Sequence, residues 1–338
     1  MANWFTILVT TLPLLGAVAF SAPEPAKISG KTMGTSYSVK YVLPAKTKDG
    51  IKALSKKIRD RLVDLNRALS TWDRNSEISK FSNWPSLKAF PVGQDFLATA
   101  QIAHVISKST GGSFDPTMAP LVNLWGFGPN KVNGPPTIKQ VVTLQKSIGY
   151  EKIAIQSQPP ALNKAHAAIS LDYSAIAKGY AVDEVGKILE LSGIYHFMVE
   201  IGGEVLAKGE KRPGSPWRIA IEKPIDGIRT IGRVMEIRDR AIATSGDYRN
   251  FYKAKGARFS HILDPRTGFP VKHKTASVTV IDRTCAEADG LATALMVMGH
   301  QEGLKWAQKH RKTVLFIVRE GEGFREYQTA DFQEFLAH

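Results

Sequence analysis

The chain is 338 residues long and carries 45 lysines and arginines against 31 aspartates and glutamates, a formal charge of +14. Its 43% hydrophobic content is enough for a substantial core, and the basic excess is scattered through stretches such as KALSKKIRDR and KWAQKHRK, with no zinc-finger spacing or aromatic RNA-binding pattern, which argues against nucleic acid as a partner. The single cysteine, Cys285, excludes an internal disulfide and a thiolate metal cluster.

The first charged side chain is Glu24. Before it, WFTILVTTLPLLGAVAF ends near small residues, so residues 1–22 read as a signal peptide cleaved after Ala19 or Ser21, or as an apolar anchor left in a membrane. A linker containing PEPAK is expected over 23–30, and the folded domain over 31–338. TMGTSYSVKYVL alternates as a strand over 35–43. The next segment places Ile51, Leu54, Ile58, Leu62, Leu65 and Leu69 at helical spacing. STWDRNSEISKFSN is polar and irregular, with Trp72 stranded in it. A second helix covers GQDFLATAQIAHVISKST and stops at Gly111-Gly112.

GGSFDPTMAPLVNLWGFGP is too interrupted for a regular element and too apolar for an exposed linker. TIKQVVTLQKSIG reads as a short helix and KIAIQ as a strand. ISLDYSAIAKGYAVDEVGKILELSG reads as strand, turn and helix, the helix beginning near Ala175. FMVEIGG, VLAKGE, WRIAIEKP, EIRDRAIATSG, RFSHILD and ASVTVID are strands. The helix AEADGLATAL, a last helix around GLKWAQKH and the strand TVLFIVRE complete the chain. So many strands in succession argue against a doubly wound array. The expected fold is α+β, one compact domain of largely antiparallel sheet with stacked helices.

Several stretches carry chemistry. Asp289 and Thr293 lie four apart on one helix face, and both offer oxygen, the donor that magnesium prefers. A cap at Asp289 with Thr293 bonding back to its own helix explains the pair equally. In LDYSAIAKG, Asp172 could accept hydrogen bonds from a ligand and Lys178 could meet a phosphate. His261 sits on a short apolar strand before the turn DPRTG, placed to orient a phosphate, move a proton or serve the fold. ATSGDYRNFY brings backbone amides and the Ser245 hydroxyl to a strand end, and GGSFDPT offers amides and the flat ring of Phe114. There is no GxxxxGK[ST] loop, HExxH pair, GxGxxG unit or GxSxG elbow.

Taken in order, KTMGTSYSV, STWDRNSEIS, GGSFDPTMAPLV, LDYSAIAKGYAVDEV, EIGGEV, ATSGDYRNFY, SHILDPRTGFP and CAEADGLATAL resemble the ApbE-like FAD:protein FMN transferases. The resemblance implies an α+β fold related to the T-fold. It implies an enzyme that cleaves the pyrophosphate of FAD and attaches FMN through its phosphate to a threonine hydroxyl of another protein, releasing AMP. Such acceptors are membrane-associated redox proteins, including Nqr- and Rnf-type electron-transport subunits; without a lipid anchor the exported enzyme is expected free in the periplasm, unless its apolar N-terminus stays attached to the membrane. Met33, Trp72, Ser113, Phe114, Asp115, Asp172 and Lys178 fall on flavin-dinucleotide contacts, with backbone from Ile262 or Leu263. Mg²⁺ would be held by Asp289, Thr293 and the Ala175 carbonyl. His261 and Ser245 would assist, with Asp289 or His261 taking the acceptor's proton. Two other readings use the same pocket: an FAD pyrophosphatase and a non-catalytic flavin carrier. Many relatives carry a lipid-modified cysteine after the signal, and this chain has none there.

Overall fold

The computed structural model describes residues 25–337 apart from 44–49, 130–131, 133, 226, 228–229, 249–250 and 255–256. The expected signal or anchor at 1–22 lies outside the described residues. Among those residues, no helix is long and apolar enough to cross a membrane.

An eight-stranded sheet forms the centre. Its strands are β1 (Ala26–Thr32), β2 (Thr35–Tyr41), β3 (Phe197–Ile201), β4 (Glu204–Lys208), β5 (Arg240–Gly246), β6 (Thr275–Asp282), β7 (Thr313–Glu320) and β8 (Gly323–Gln328). Spatial order follows chain order, and every neighbouring pair is antiparallel. Among the described residues, seven α-helices accompany it: α1 (Ile51–Leu69), α2 (Glu77–Ser82), α3 (Gln94–Ser109), α4 (Ala119–Leu124), α5 (Ile138–Gln145), α6 (Ala177–Leu191) and α7 (Cys285–Lys309).

Strand alternation sorts the core into two faces. Val314, Phe316 and Val318 of β7 join the large cluster shared with α1, α3, α6 and α7. Leu315 and Ile317 point the other way, into a second cluster with Trp217, Met235 and Phe332. That second cover is a ribbon of Trp217–Glu222 with Ile231–Ile237, closed by the C-terminal turn Ala330–Phe335. Because both faces are covered, seven successive residues of β6, Thr275 to Ile281, are all buried. The molecule is therefore one α+β domain of three layers: helices, sheet, ribbon.

The elements depart from the sequence reading in several places. β1 starts at Ala26 and takes up most of the expected linker; it is an edge strand with one neighbour, and its polar residues read as linker. The interrupted segment after Gly111-Gly112 holds a 3₁₀ turn, Pro116–Met118, and then α4. The polar stretch after Trp72 forms α2, capped by Ser76, whose hydroxyl accepts the Ser79 N–H. ISLDY forms no strand, and α6 begins two residues past Ala175. EIRDRAIATSG is cut by a turn at Asp239, whose φ is +51°, where the chain passes from the ribbon to the central sheet. The two last expected helices join as α7 across a kink at Gly299, where φ is +74°. β8 and the turn after it went unread.

Candidate active site

α6 and α7 build the site by approaching unusually closely. A side-chain carbon on Gly179 would lie 2.6 Å from the Cys285 carbonyl carbon and 2.8 Å from Asp289 Cβ, so only glycine fits. Thr284 caps α7 by accepting the Glu287 N–H. Asp183, on α6, accepts the two before it, from Cys285 at 2.8 Å and Ala286 at 2.9 Å. Asp289 lies a full turn inside, so capping is not its role.

The Asp289 carboxylate instead reaches across to α6 and accepts the Gly179 N–H at 3.0 Å. In an uninterrupted helix that N–H would serve the carbonyl four residues back, at Ala175. The chain ahead of α6 is held by the Tyr173 carbonyl, which accepts N–H groups from Ile176 at 2.9 Å and Ala177 at 2.7 Å. The Ala175 carbonyl is thus released from the helical ladder. One turn further along α7, the Thr293 hydroxyl lies 3.0 Å from the Ser245 hydroxyl at the end of β5.

These groups border a cavity of about 560 Å³, within the range of small-molecule sites, ~300–1,000 Å³. Its wall includes Trp72, Ser113, Phe114, Asp115, Asp172, Ala175, Lys178, Ser245, His261, Ile262, Leu263, Asp289 and Thr293. Met33 is not on it. That residue sits at the β1–β2 turn beside a separate depression with Lys31 and Arg59. Trp72 is 68% exposed, a large ring left open to a ligand. Phe114 and Ser113 are both buried. Asp115 serves the fold: its carboxylate accepts the Thr117 N–H at 2.8 Å, the Thr117 hydroxyl at 2.6 Å and the Tyr150 N–H at 2.9 Å. Burial nonetheless pushes its carboxyl up. Asp172 Oδ1 accepts the Ser174 N–H. The His261 ring meets Phe127 edge-on at 6.1 Å, and the DPRTG turn behind it closes through Gly268, whose φ is +76°.

Glu204 escaped the sequence reading. It opens β4 immediately after Gly202-Gly203, is 5% exposed, and lies on the cavity wall. Its Oε1 stands 3.1 Å from Lys178 Nζ. Burial pushes its carboxyl up, against the pull of Lys178. Burial also works against the charge on Lys178, but Asp289 and Glu204 outweigh it and hold the ammonium above its ordinary range. The signal that could have found Glu204 is an acid directly after a Gly-Gly turn in an otherwise apolar EIGGEV.

The cavity is acidic within a basic protein: Asp115, Asp172, Glu204, Glu222 and Asp289 face Lys178 and His261. Among the described residues, no three His, Cys, Asp or Glu side chains converge as a metal cage. What Asp289, Thr293 and Ala175 offer together is one carboxylate, one hydroxyl and a released carbonyl. That sparse set of hard oxygens suits Mg²⁺, which keeps most of its shell for water and phosphate.

Asp183 gives a test of how α7 is anchored. Burial raises its carboxyl to about 6 despite its two N–H donors. A carboxyl raised on folding contributes stability that is full below its unfolded value of about 3.9 and is lost as pH rises through 6. Asp183→Asn should therefore flatten the decline of the thermal midpoint between about pH 4 and 6 relative to the parent protein. Identical slopes would show that Asp183 does not titrate there.

The sequence profile of the ApbE family matches residues 33–317. A FAD:protein FMN transferase from Vibrio cholerae serotype O1 is 41% identical, covering 100% of both chains. One from Haemophilus influenzae is 38% identical, covering 97% of this chain and 96% of its own. Among solved structures, flavin transferase ApbE from Vibrio cholerae superposes with a TM-score of 0.85 at 42% identity, over 93% of this chain and 99% of that one. The apo form of the flavinyl transferase ApbE from Pseudomonas stutzeri gives a TM-score of 0.84 at 37% identity, over 92% and 96%.

Proposed function

The chain belongs to the ApbE family of flavin transferases, and from that premise we infer that its acidic cavity takes FAD together with Mg²⁺. The enzyme transfers FMN from FAD to an acceptor protein; the finer proposal is that the acceptor atom is a threonine hydroxyl and that AMP leaves. One observation carries the metal reading. A wall with more carboxylates than cations repels a pyrophosphate unless a cation intervenes, and Asp289, Thr293 and the released Ala175 carbonyl form the donor set suited to one.

Bound there, Mg²⁺ would neutralise charge on the pyrophosphate and help align it. The protein's own groups do the rest. Lys178 meets a phosphate oxygen, Ser245 donates beside it, and Trp72 and Phe114 border the aromatic rings, with backbone from Ile262 or Leu263 alongside. The acceptor oxygen bonds to the FMN phosphorus as the P–O bond to AMP breaks. The hydroxyl proton passes to His261 or Asp289, and AMP carries off the bridging oxygen. His261 is the better base, since coordination to a cation would weaken the basicity of Asp289.

The acceptor class is a membrane-associated redox protein such as an Nqr- or Rnf-type subunit, and the enzyme acts in the periplasm after export. Mass measurement of the N-terminus of the protein isolated from cells is expected to show cleavage after Ala19 or Ser21; a start at Met1 in a cytoplasmic fraction contradicts export. For the reaction, purified protein is incubated with FAD, Mg²⁺ and an acceptor domain. The expected outcome is flavin fluorescence on the acceptor in a denaturing gel, stoichiometric AMP, and neither without Mg²⁺. Free FMN with an unlabelled acceptor would point to a pyrophosphatase.

A further inference from the structure

Lys178 stands between two acids and is not shared equally. Its ammonium lies 3.1 Å from Glu204 Oε1 but 3.8 Å from Asp289 Oδ2. The first is a hydrogen-bonding distance and the second is not. The other oxygen of Glu204, Oε2, is buried without a hydrogen-bond partner. A nearly buried carboxylate with one unmet oxygen is a cost to stability, so the reason for an acid here lies with Lys178. The neighbourhood is shaped for that pairing. Gly202 holds φ +65° in the β3–β4 turn, and a side-chain carbon there would lie 3.2 Å from Lys178 Cδ, crowding the stem that carries the ammonium to Glu204.

The arrangement bears on Asp289. Were Lys178 to swing about an ångström closer, it would form a direct charge-assisted bond with that carboxylate. The ammonium would then compete with a divalent cation for the same oxygens. We propose that Glu204 is a positioning residue that holds the Lys178 ammonium off Asp289, leaving the carboxylate to the cation and the ammonium to a substrate phosphate. The inference rests on the reading of Asp289 as a metal ligand.

The test is a double-substitution cycle read by Mg²⁺ binding, independently of turnover. Mg²⁺ affinity is measured by titration calorimetry on the parent protein, Glu204→Gln, Lys178→Met and the double variant, each checked by its thermal midpoint. Glu204→Gln keeps the shape and removes the charge. It is expected to weaken Mg²⁺ binding by about tenfold or more, as the ammonium closes on Asp289. In the Lys178→Met background the same substitution should change the affinity by less than about twofold. Glu204→Asp, which keeps the charge but draws it back from Lys178, should give a smaller loss of the same sign. An unchanged affinity in Glu204→Gln overturns the proposal. So does an equal loss with and without Lys178, which would mean that Glu204 acts on the ion directly. A parent protein that binds no Mg²⁺ removes the metal reading of Asp289 itself, a result distinct from either.

Discussion

Asp289→Asn is expected to abolish measurable flavin transfer while the protein still folds. The amide keeps an oxygen to accept the Gly179 N–H, so the link between α6 and α7 survives. What disappears is the negative charge that would hold the cation beside the pyrophosphate. A metal acting on a transferring phosphoryl group is worth several kcal/mol of transition-state stabilisation. At about 1.4 kcal/mol per tenfold in rate, the loss should reach roughly 10³-fold. The check is the labelled-acceptor gel run over a Mg²⁺ series, alongside a melting curve. Transfer close to the parent level would remove Asp289 from the centre of the reaction. Inactivity with a collapsed melting curve would reassign it to the fold.

Gly179→Ala should damage the protein in a different way. The added methyl meets the Cys285 carbonyl, part of the α7 backbone, and has no flexible neighbour to push aside. The two helices must separate, which for an overpacked core costs about 1–3 kcal/mol. Separation also carries Asp289 away from the Gly179 N–H, so transfer should fall together with stability. Gly186→Ala, two turns along the same helix, is the control. There the nearest atoms belong to the Leu206 side chain, at 2.8 Å, and can give. A melting midpoint lowered clearly more by the first substitution than by the second is the expected result. Equal shifts would mean that the close approach at Gly179 is not what holds the helices.

How much of this was legible in the sequence depended on whether a feature is local. α1 was readable because Leu54, Ile58, Leu62, Leu65 and Leu69 repeat with the helical period and are all buried. β6 and β7 were readable as apolar runs of strand length. β1 was not, because an edge strand with one neighbour needs little apolar patterning. α2 and α4 are each six residues long, too short for a period to declare itself. The α6 start was misread because the tight turn at Tyr173 closes through main-chain bonds, which leave no mark on residue type.

The site divides along the same line. Asp289 with Thr293 stood out by spacing within one helix. The meeting of Thr293 with Ser245, or of Lys178 with Glu204, depends on which strand the sheet sets beside which helix. Asp115 lines the cavity while its carboxylate is engaged by Thr117 and Tyr150, contacts that no local spacing announced. Met33 falls in a motif of the family, yet its turn sits at the sheet edge, off the cavity wall.

The contact at Gly179 also sets the terms on which this enzyme can change. Gly290, on the opposite side of α7, is hemmed in as well, with Ile106 Cδ1 2.6 Å from where a side-chain carbon would lie. The backbone contact at Gly179 does not yield as a side-chain tip such as that of Ile106 can, so α7 resists being shifted by small steps to admit another ligand. The rim segments around residues 72 and 222 lie away from that contact and are freer to vary. Alteration of substrate preference, in nature or by engineering, would therefore begin in those segments, with the α6–α7 contact inherited unchanged.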